Sequence, residues 1–131
     1  MNIQDDRRIL VVDDEPVQLV VLQAMMSRVC EDYQIEGASG GEEALTKFQQ
    51  DRFGLIVTDL GMAGMDGVAL TEAIRELDKE AMVIWITAYG CRQFKEQAER
   101  LGVARCLDKP VPLSRIRKVV RETLGMAEEK S

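Results

Sequence analysis

The residues of this chain that could do chemistry stand at the ends of its apolar runs. In GLIVTDLGMAGMDG, Gly54 to Gly67, Leu55, Ile56 and Val57 run straight into Asp59, and a loop rich in Gly and Met follows. ILVV ends in Asp13 and Asp14, AMVIWI ends in Thr87 and Ala88, and ARCLD ends in Lys109 and Pro110. Burying a carboxylate is costly unless its charge is compensated. Three carboxylates gathered in one place would raise each other's pKa values unless a cation sat among them. The chain has no histidine, and oxygen-only ligands suit a hard ion. Mg²⁺ fits best, because it binds through one or two carboxylates and several waters while it holds a phosphate. Lys109 would add a charge for a phosphate oxygen and Thr87 a hydroxyl donor. A carboxylate is then the natural phosphoryl acceptor, forming an acyl phosphate.

Whether these groups meet depends on the elements that carry them. RILVVDD, YQIEGAS, GLIVTD, AMVIWITA and ARCLDKP read as five strands. Helical spacing separates them: Ala44, Leu45 and Phe48; Leu70, Ile74 and Leu77; Phe94, Ala98 and Leu101; Leu113, Ile116, Val120 and Leu124. Pro16 to Cys30 is apolar nearly all round, which predicts a well-buried helix. Strict β-α alternation implies a parallel sheet with helices on both faces. Continuous apolar runs mark strands 1, 3 and 4 as central, and mixed runs mark 2 and 5 as edges. Right-handed crossovers with short connections favour the order 2-1-3-4-5, a flavodoxin-like α/β fold whose ligands bind at the carboxyl ends of the strands. That rim collects Asp13, Asp14, Asp59, Thr87, Ala88 and Lys109, with Asp59 at the centre.

Each residue also has an ordinary structural explanation. Asp14 could cap the first helix, with Pro16 in its first turn. Asp59 could form a turn, Thr87 could be a plain strand residue, and KP a plain turn. All of these together would have to set three acids, a hydroxyl and an amine on one rim by accident.

Composition narrows the classes. The chain has 131 residues, 46% hydrophobic and 31% charged, with a net charge of −6. That is a usual size for a single domain, and residues 7–125 are expected to form its core, with frayed ends on either side. An acidic balance argues against direct nucleic-acid binding, no run approaches a membrane span, and the acidic start is no signal peptide. A cytoplasmic protein is expected. Cys30, Cys91 and Cys106 have no metal-ligand spacing and read as small buried hydrophobes in a reducing compartment.

ILVVDDEP, LIVTDLGMAGMDG, ITAYG and LDKP, in that order, resemble the response-regulator receiver domains of two-component signalling over nearly the full length of the chain. The resemblance implies a domain spanning 1–131 that is a switch rather than an enzyme acting on an external substrate. It implies that Asp59 is phosphorylated by a sensor histidine kinase or a histidine phosphotransfer protein. Asp14 and Asp59 would ligate Mg²⁺ directly, Asp13 through water and Gly61 through its backbone carbonyl. Thr87, Ala88 and Lys109 would bind the phosphoryl group, and Lys109–Pro110 would be cis. The switch would control a downstream target or fused output domain, and dimerisation on phosphorylation is compatible with it.

The chain departs from the family pattern at Ala63, where Pro is usual, at Cys106, where a Tyr or Phe usually takes part in switching, and at Val111. The mobile aromatic is therefore expected to be Tyr89. Gly61 and Tyr89, two positions past Asp59 and Thr87, are where side chains screen or admit water. A docking module that is never phosphorylated has no reason to retain the acids. A haloacid-dehalogenase-type phosphatase would need an Asp-x-Asp strand end and a cap, and a flavin protein would need a phosphate loop after strand 1.

Overall fold

The computed structural model describes residues 7–126. Most of the expected frayed ends, residues 1–6 and 127–131, lies outside these. Five strands alternate with helices: β1 (Arg8–Val12), α1 (Pro16–Val29), β2 (Gln34–Ala38), α2 (Gly41–Gln50), β3 (Leu55–Asp59), α3 (Gly67–Leu77), β4 (Val83–Thr87), a 3₁₀ turn (Cys91–Phe94) running directly into α4 (Lys95–Leu101), β5 (Arg105–Asp108) and α5 (Leu113–Thr123). All neighbouring strands pair in parallel, in the order β2-β1-β3-β4-β5. β3 lies between β1 and β4 at the centre of the sheet, and β2 and β5 form its edges, as the run pattern predicts.

The apolar runs are continuous because both faces of the sheet are covered. Alternate residues serve opposite layers. Ile9, Val11, Leu55, Val57, Ile84 and Ile86 pack with Leu22 and Met26 of α1 and Ile116 and Val120 of α5. Leu10, Val12, Ile56, Val83 and Trp85 pack with Ala44 of α2, Leu70 and Ile74 of α3 and Leu101 of α4. Trp85 is fully buried, and its Nε1–H donates to Thr71 Oγ1 at 2.8 Å. Thr71 in turn donates to the Gly67 carbonyl at 2.8 Å, so a polar pair is satisfied inside this layer of the core.

Three sequence expectations are corrected. Helix α1 is not buried all round: Val17, Val20 and Val21 are 75%, 65% and 51% exposed. Only α1 and α5 cover that face, so no outer layer reaches the far side of α1. Leu77, predicted on the buried stripe of α3, is 53% exposed as the last residue of that helix. Of the three cysteines, only Cys30 is a buried thiol, and burial pushes its pKa up to about 11 against the opposing charge of Arg121. Cys91 and Cys106 are joined in a disulfide. Spacing along the chain does not reveal that the turn after β4 folds back onto β5.

Candidate functional site

At the carboxyl ends of β1, β3 and β4 the same local device recurs. Asp13 Oδ1 accepts the Glu15 N–H at 2.9 Å. Asp59 accepts the Gly61 N–H. Thr87 Oγ1 accepts the Tyr89 N–H at 2.9 Å. In each case a side-chain oxygen takes the backbone N–H two residues on, which turns the chain out of the strand while leaving the side chain at the rim. The turn-forming explanation for Asp59 is therefore correct locally, and it is also what aims the carboxylate.

Asp14 is not a helix cap. The residue capping α1 is Glu15, which makes no side-chain cap bond, with Pro16 in the first turn. Asp14 Oδ2 instead accepts the Ala63 N–H at 2.9 Å, which ties the end of β1 to the loop after β3. Oxygen atoms of Asp13, Asp14 and Asp59 all lie within 4.8 Å of one another. Asp13 and Asp59 are 1% and 8% exposed.

Lys109 reaches into this group from the end of β5. Its Nζ lies 3.3 Å from Asp13 Oδ2 and 3.5 Å from Asp59 Oδ2, and it donates to Gln18 Oε1 at 2.6 Å. The Lys109 N–H donates to the Thr87 carbonyl at 2.8 Å, and the Lys109–Pro110 peptide is cis. One lysine faces three carboxylates, so the cluster keeps an excess of negative charge. Asp59 also holds its proton more tightly than an ordinary aspartate. Burial is the main cause and Asp13 adds to it, while Lys109 and the Gly61 N–H oppose it. A cluster of oxygen donors with uncompensated negative charge fits a hard divalent cation in chemistry and in spacing.

The loop after Asp59 is made of small residues for steric reasons. A Cβ at Gly67 would press on the Asp59 carbonyl and lie 2.8 Å from Leu60 Cα, so only glycine lets the start of α3 dock against the end of β3. Gly64 sits at a φ of 72°, which favours glycine. The cap of α3 is Asp66, whose Oδ1 accepts the Ala69 N–H at 2.8 Å. A side chain at Gly61 would meet the ring of Tyr89, its Cβ 2.6 Å from Cε2. The two positions read separately in the sequence are thus one contact, with the exposed tyrosine lying over the glycine.

Thr87 is fully buried and Ala88 is exposed beside it. Ala88 lines a cavity of about 570 Å³ together with Asp13, Asp59 and Lys109. The rest of that cavity is largely apolar, with Val17, Val21, Leu22, Met25 and Pro110 among its walls. The structure therefore brings Asp13, Asp14, Asp59 and Lys109 into one cluster, and sets Gly61, Thr87 and Ala88 at its edge. Gln18 was missed in the sequence. Its signal was its place in the first turn of α1, directly after the acids.

Comparison with known proteins agrees with this arrangement. The family model described as "response regulator receiver domain" matches residues 9–121. The sensor histidine kinase RcsC of Escherichia coli K12 is 33% identical over 126 residues, which is 96% of this chain but 13% of that protein. The sporulation initiation phosphotransferase F of Bacillus subtilis is 29% identical over 121 residues, covering 92% of this chain and 96% of that one. Among solved structures, a CheY-like receiver domain protein from Methanospirillum hungatei superposes with a TM-score of 0.84 at 26% identity, covering 92% and 95% of the two chains. The response regulator TrrA of Thermotoga maritima, in complex with Mg²⁺ and BeF, gives 0.79 at 31% identity over 89% and 98%. The chain belongs to the response regulator receiver domain family.

Proposed function

We propose that this chain, as one receiver domain, is the phosphoacceptor switch of a two-component system, with Asp59 as the acceptor. A phosphohistidine on a sensor histidine kinase or histidine phosphotransfer protein is the donor. An Asp59 carboxylate oxygen attacks phosphorus, the P–N bond breaks, and the imidazole nitrogen keeps the electron pair and takes a proton. The reaction gives an aspartyl phosphate and a neutral histidine. The observation that carries this reading is the meeting of three carboxylates within 4.8 Å, with Lys109 bridging two of them.

Asp14 and Asp59 would hold Mg²⁺ directly, with Asp13 acting through water and the Gly61 carbonyl completing the protein ligands. When bound, the ion neutralises charge on the transferring phosphoryl oxygens. Lys109 binds one phosphoryl oxygen, and Thr87 and the Ala88 backbone bind others once the group arrives. Because those contacts exist only in the phosphorylated state, they can shift a two-state equilibrium. That shift would pass to a fused output domain or a separate target, and self-association on phosphorylation is one form it can take. The domain would act in the cytoplasm, without touching nucleic acid or membrane itself. Among the described residues no helix is long and apolar enough to cross a membrane.

The donor must bring its histidine to Asp59, which opens into the apolar cavity beside α1. Val17 and Val21 of its wall are exposed, as is Val20 on the same helix. They support docking of an apolar donor surface over the site rather than capture of a small polar substrate. The test is incubation with a small acyl phosphate donor and Mg²⁺, read by intact mass. Wild type should gain one phosphoryl group that mild base removes. Asp59→Asn should gain none, and undiminished labelling in that variant would overturn the assignment.

A further inference from the structure

We propose that Cys91 and Cys106 form a reversible thiol–disulfide modification site that sets how freely the segment after β4 can move. This inference rests on the phosphoacceptor reading only for its consequence, not for the site itself. The two Cα atoms are 5.8 Å apart although 15 residues separate them in sequence. Cys106 lies within β5, paired with Trp85 of β4. Cys91 opens the 3₁₀ turn that leads without a break into α4. The bond therefore joins the edge strand to the one connection that starts at Thr87 and carries Tyr89.

The non-covalent ties of this turn to the sheet are one hydrogen bond and the packing of Phe94 against the core. The Cys91 N–H donates to Asp108 Oδ1 at 2.8 Å, and the Phe94 ring meets Trp85 edge-on with centroids 6.5 Å apart. The other bonds of the turn are internal to it: Gln93 Nε2 donates to the Tyr89 carbonyl at 2.8 Å and the Gln93 N–H to the Gly90 carbonyl at 3.3 Å. Gly90, at a φ of 92°, lies between Tyr89 and the cystine and gives the backbone a point to pivot. With the bond closed, inward movement of Thr87 and Tyr89 can travel no further than Cys91. With it open, the Asp108 hydrogen bond and the packing of Phe94 against Trp85 and its core neighbours hold the turn.

Neither sulfur-bearing residue is fully buried. Cys106 lines an open groove of about 290 Å³ with Leu107, Asp108, Val111, Pro112 and Arg115. That groove gives an attacking thiolate a path. The co-reactant is a dithiol reductant, small or protein-borne. Its thiolate attacks Cys106 Sγ, the S–S bond breaks, and Cys91 Sγ leaves with the electron pair and takes a proton. The second thiol of the reductant then displaces Cys106, leaving two protein thiols and an oxidised dithiol. A dithiol's own oxidised form reverses the sequence. Cystines in cytosolic proteins of mesophiles are usually transient and redox-sensing, which suits a bond placed across a signalling segment. Cys30 is excluded from this exchange by burial and by its raised pKa.

The experiment equilibrates the whole chain in buffers of reduced and oxidised dithiothreitol, counts alkylated thiols by mass, and follows amide hydrogen exchange without any phosphoryl mimic. Oxidised protein should show one reactive thiol after unfolding and reduced protein three. Amides of residues 91–98 should exchange about tenfold faster when reduced, and Cys106→Ser should behave as reduced protein in both buffers. Equal exchange in the two wild-type states, or three thiols in the oxidising buffer, would overturn the site. Beryllofluoride with Mg²⁺ is then added to each state. A response at Thr87 that spreads to Phe94 only when the pair is reduced supports the coupling, and equal spread in both states overturns it. Silence at Thr87 in both states overturns the phosphoacceptor reading and the coupling with it, and leaves the exchange result to decide the redox site alone.

Discussion

Lys109→Met should cost about 3 kcal/mol of stability at pH 7 in EDTA, and nearly nothing at low pH. The side chain keeps its length and loses only the ammonium group. That group lies 3.3 Å from Asp13 Oδ2 and 3.5 Å from Asp59 Oδ2. At an effective dielectric of about 20, each contact represents about 5 kcal/mol of attraction before desolvation is subtracted. Breaking a buried pair from one side costs about 3–5 kcal/mol, because the remaining charge stays buried without its partner. Lys109 is 23% exposed in its side chain, so the lower end applies. The amount is a large share of the ~5–15 kcal/mol typical of a domain.

The pH dependence gives the reasoning a second handle. The folded-state pKa of Asp59 is already raised, and Lys109 opposes that rise. Removing the lysine lets it climb further, so the folded variant binds a proton more tightly than the unfolded chain does. Its stability must then rise as pH falls through the elevated value. Below the ordinary aspartate range near pH 4 the Asp59 carboxyl is neutral in either state, so its part of the gap disappears. Urea denaturation, followed by Trp85 fluorescence and far-ultraviolet circular dichroism, measures the gap at each pH. A gap under about 1 kcal/mol at pH 7, or one of equal size at both ends of the range, would refute a charge-pairing role for Lys109. Excess Mg²⁺ should narrow the gap at neutral pH, since the acids freed of the competing lysine charge would bind the ion more tightly than in wild type and gain more stability by mass action.

Asp59→Asn should stabilise the protein at pH 7 and flatten the fall in stability that wild type shows as pH rises from the usual aspartate pKa through the raised folded value. An unchanged slope between the two proteins would place the titration elsewhere. Thr71→Val keeps the shape of the side chain but strands the buried Trp85 indole N–H, and should cost about 1–3 kcal/mol in urea with no change of m-value. A loss below about 0.5 kcal/mol would mean that the N–H finds another partner. Tyr89→Ala uncovers Gly61 and the rim beside Asp59, so the aspartyl phosphate should hydrolyse severalfold faster; an unchanged rate, read by decay of the phosphorylated mass, would mean the ring screens nothing.

What could be read from the sequence was set by period and punctuation. Solid apolar runs ending in Asp13, Asp59 and Thr87 disclosed both the strand order and the rim, because burial on two faces leaves no room for alternation within a central strand. What could not be read depended on distance along the chain. Gln18 meets Lys109 across 91 residues, and Ala63 meets Asp14 across 49. Neither residue type advertises such a partner. Arg75 is a further case: its guanidinium donates to the carbonyls of Leu101, Ala81, Gly102 and Asp78, pinning the end of α4 and the turn before β4. In the sequence it is simply a charge on a helix. The misreading of α1 had a different cause. An apolar circumference signals burial by something, and period alone cannot say whether a sheet, a second helix layer or another protein does the burying.

The exposed valines of α1 and the crowded acids share one logic. Both leave the folded chain less stable than it could be, and Val17 and Val21 line the same cavity as Asp59. Apolar surface at Val17, Val20 and Val21 would be better covered, and three carboxylates facing one lysine would be better reduced to two. On the proposed reading, each deficit is one that an arriving group would relieve: an apolar donor surface over α1, a divalent cation among the oxygens, a phosphoryl group between Asp59 and Lys109. A site satisfied within the chain would gain little from any of them. The like charge of Asp13, which adds to the burial that raises the Asp59 pKa, is also what a divalent cation would relieve, and relieving it by mutation should stabilise the fold while removing its response.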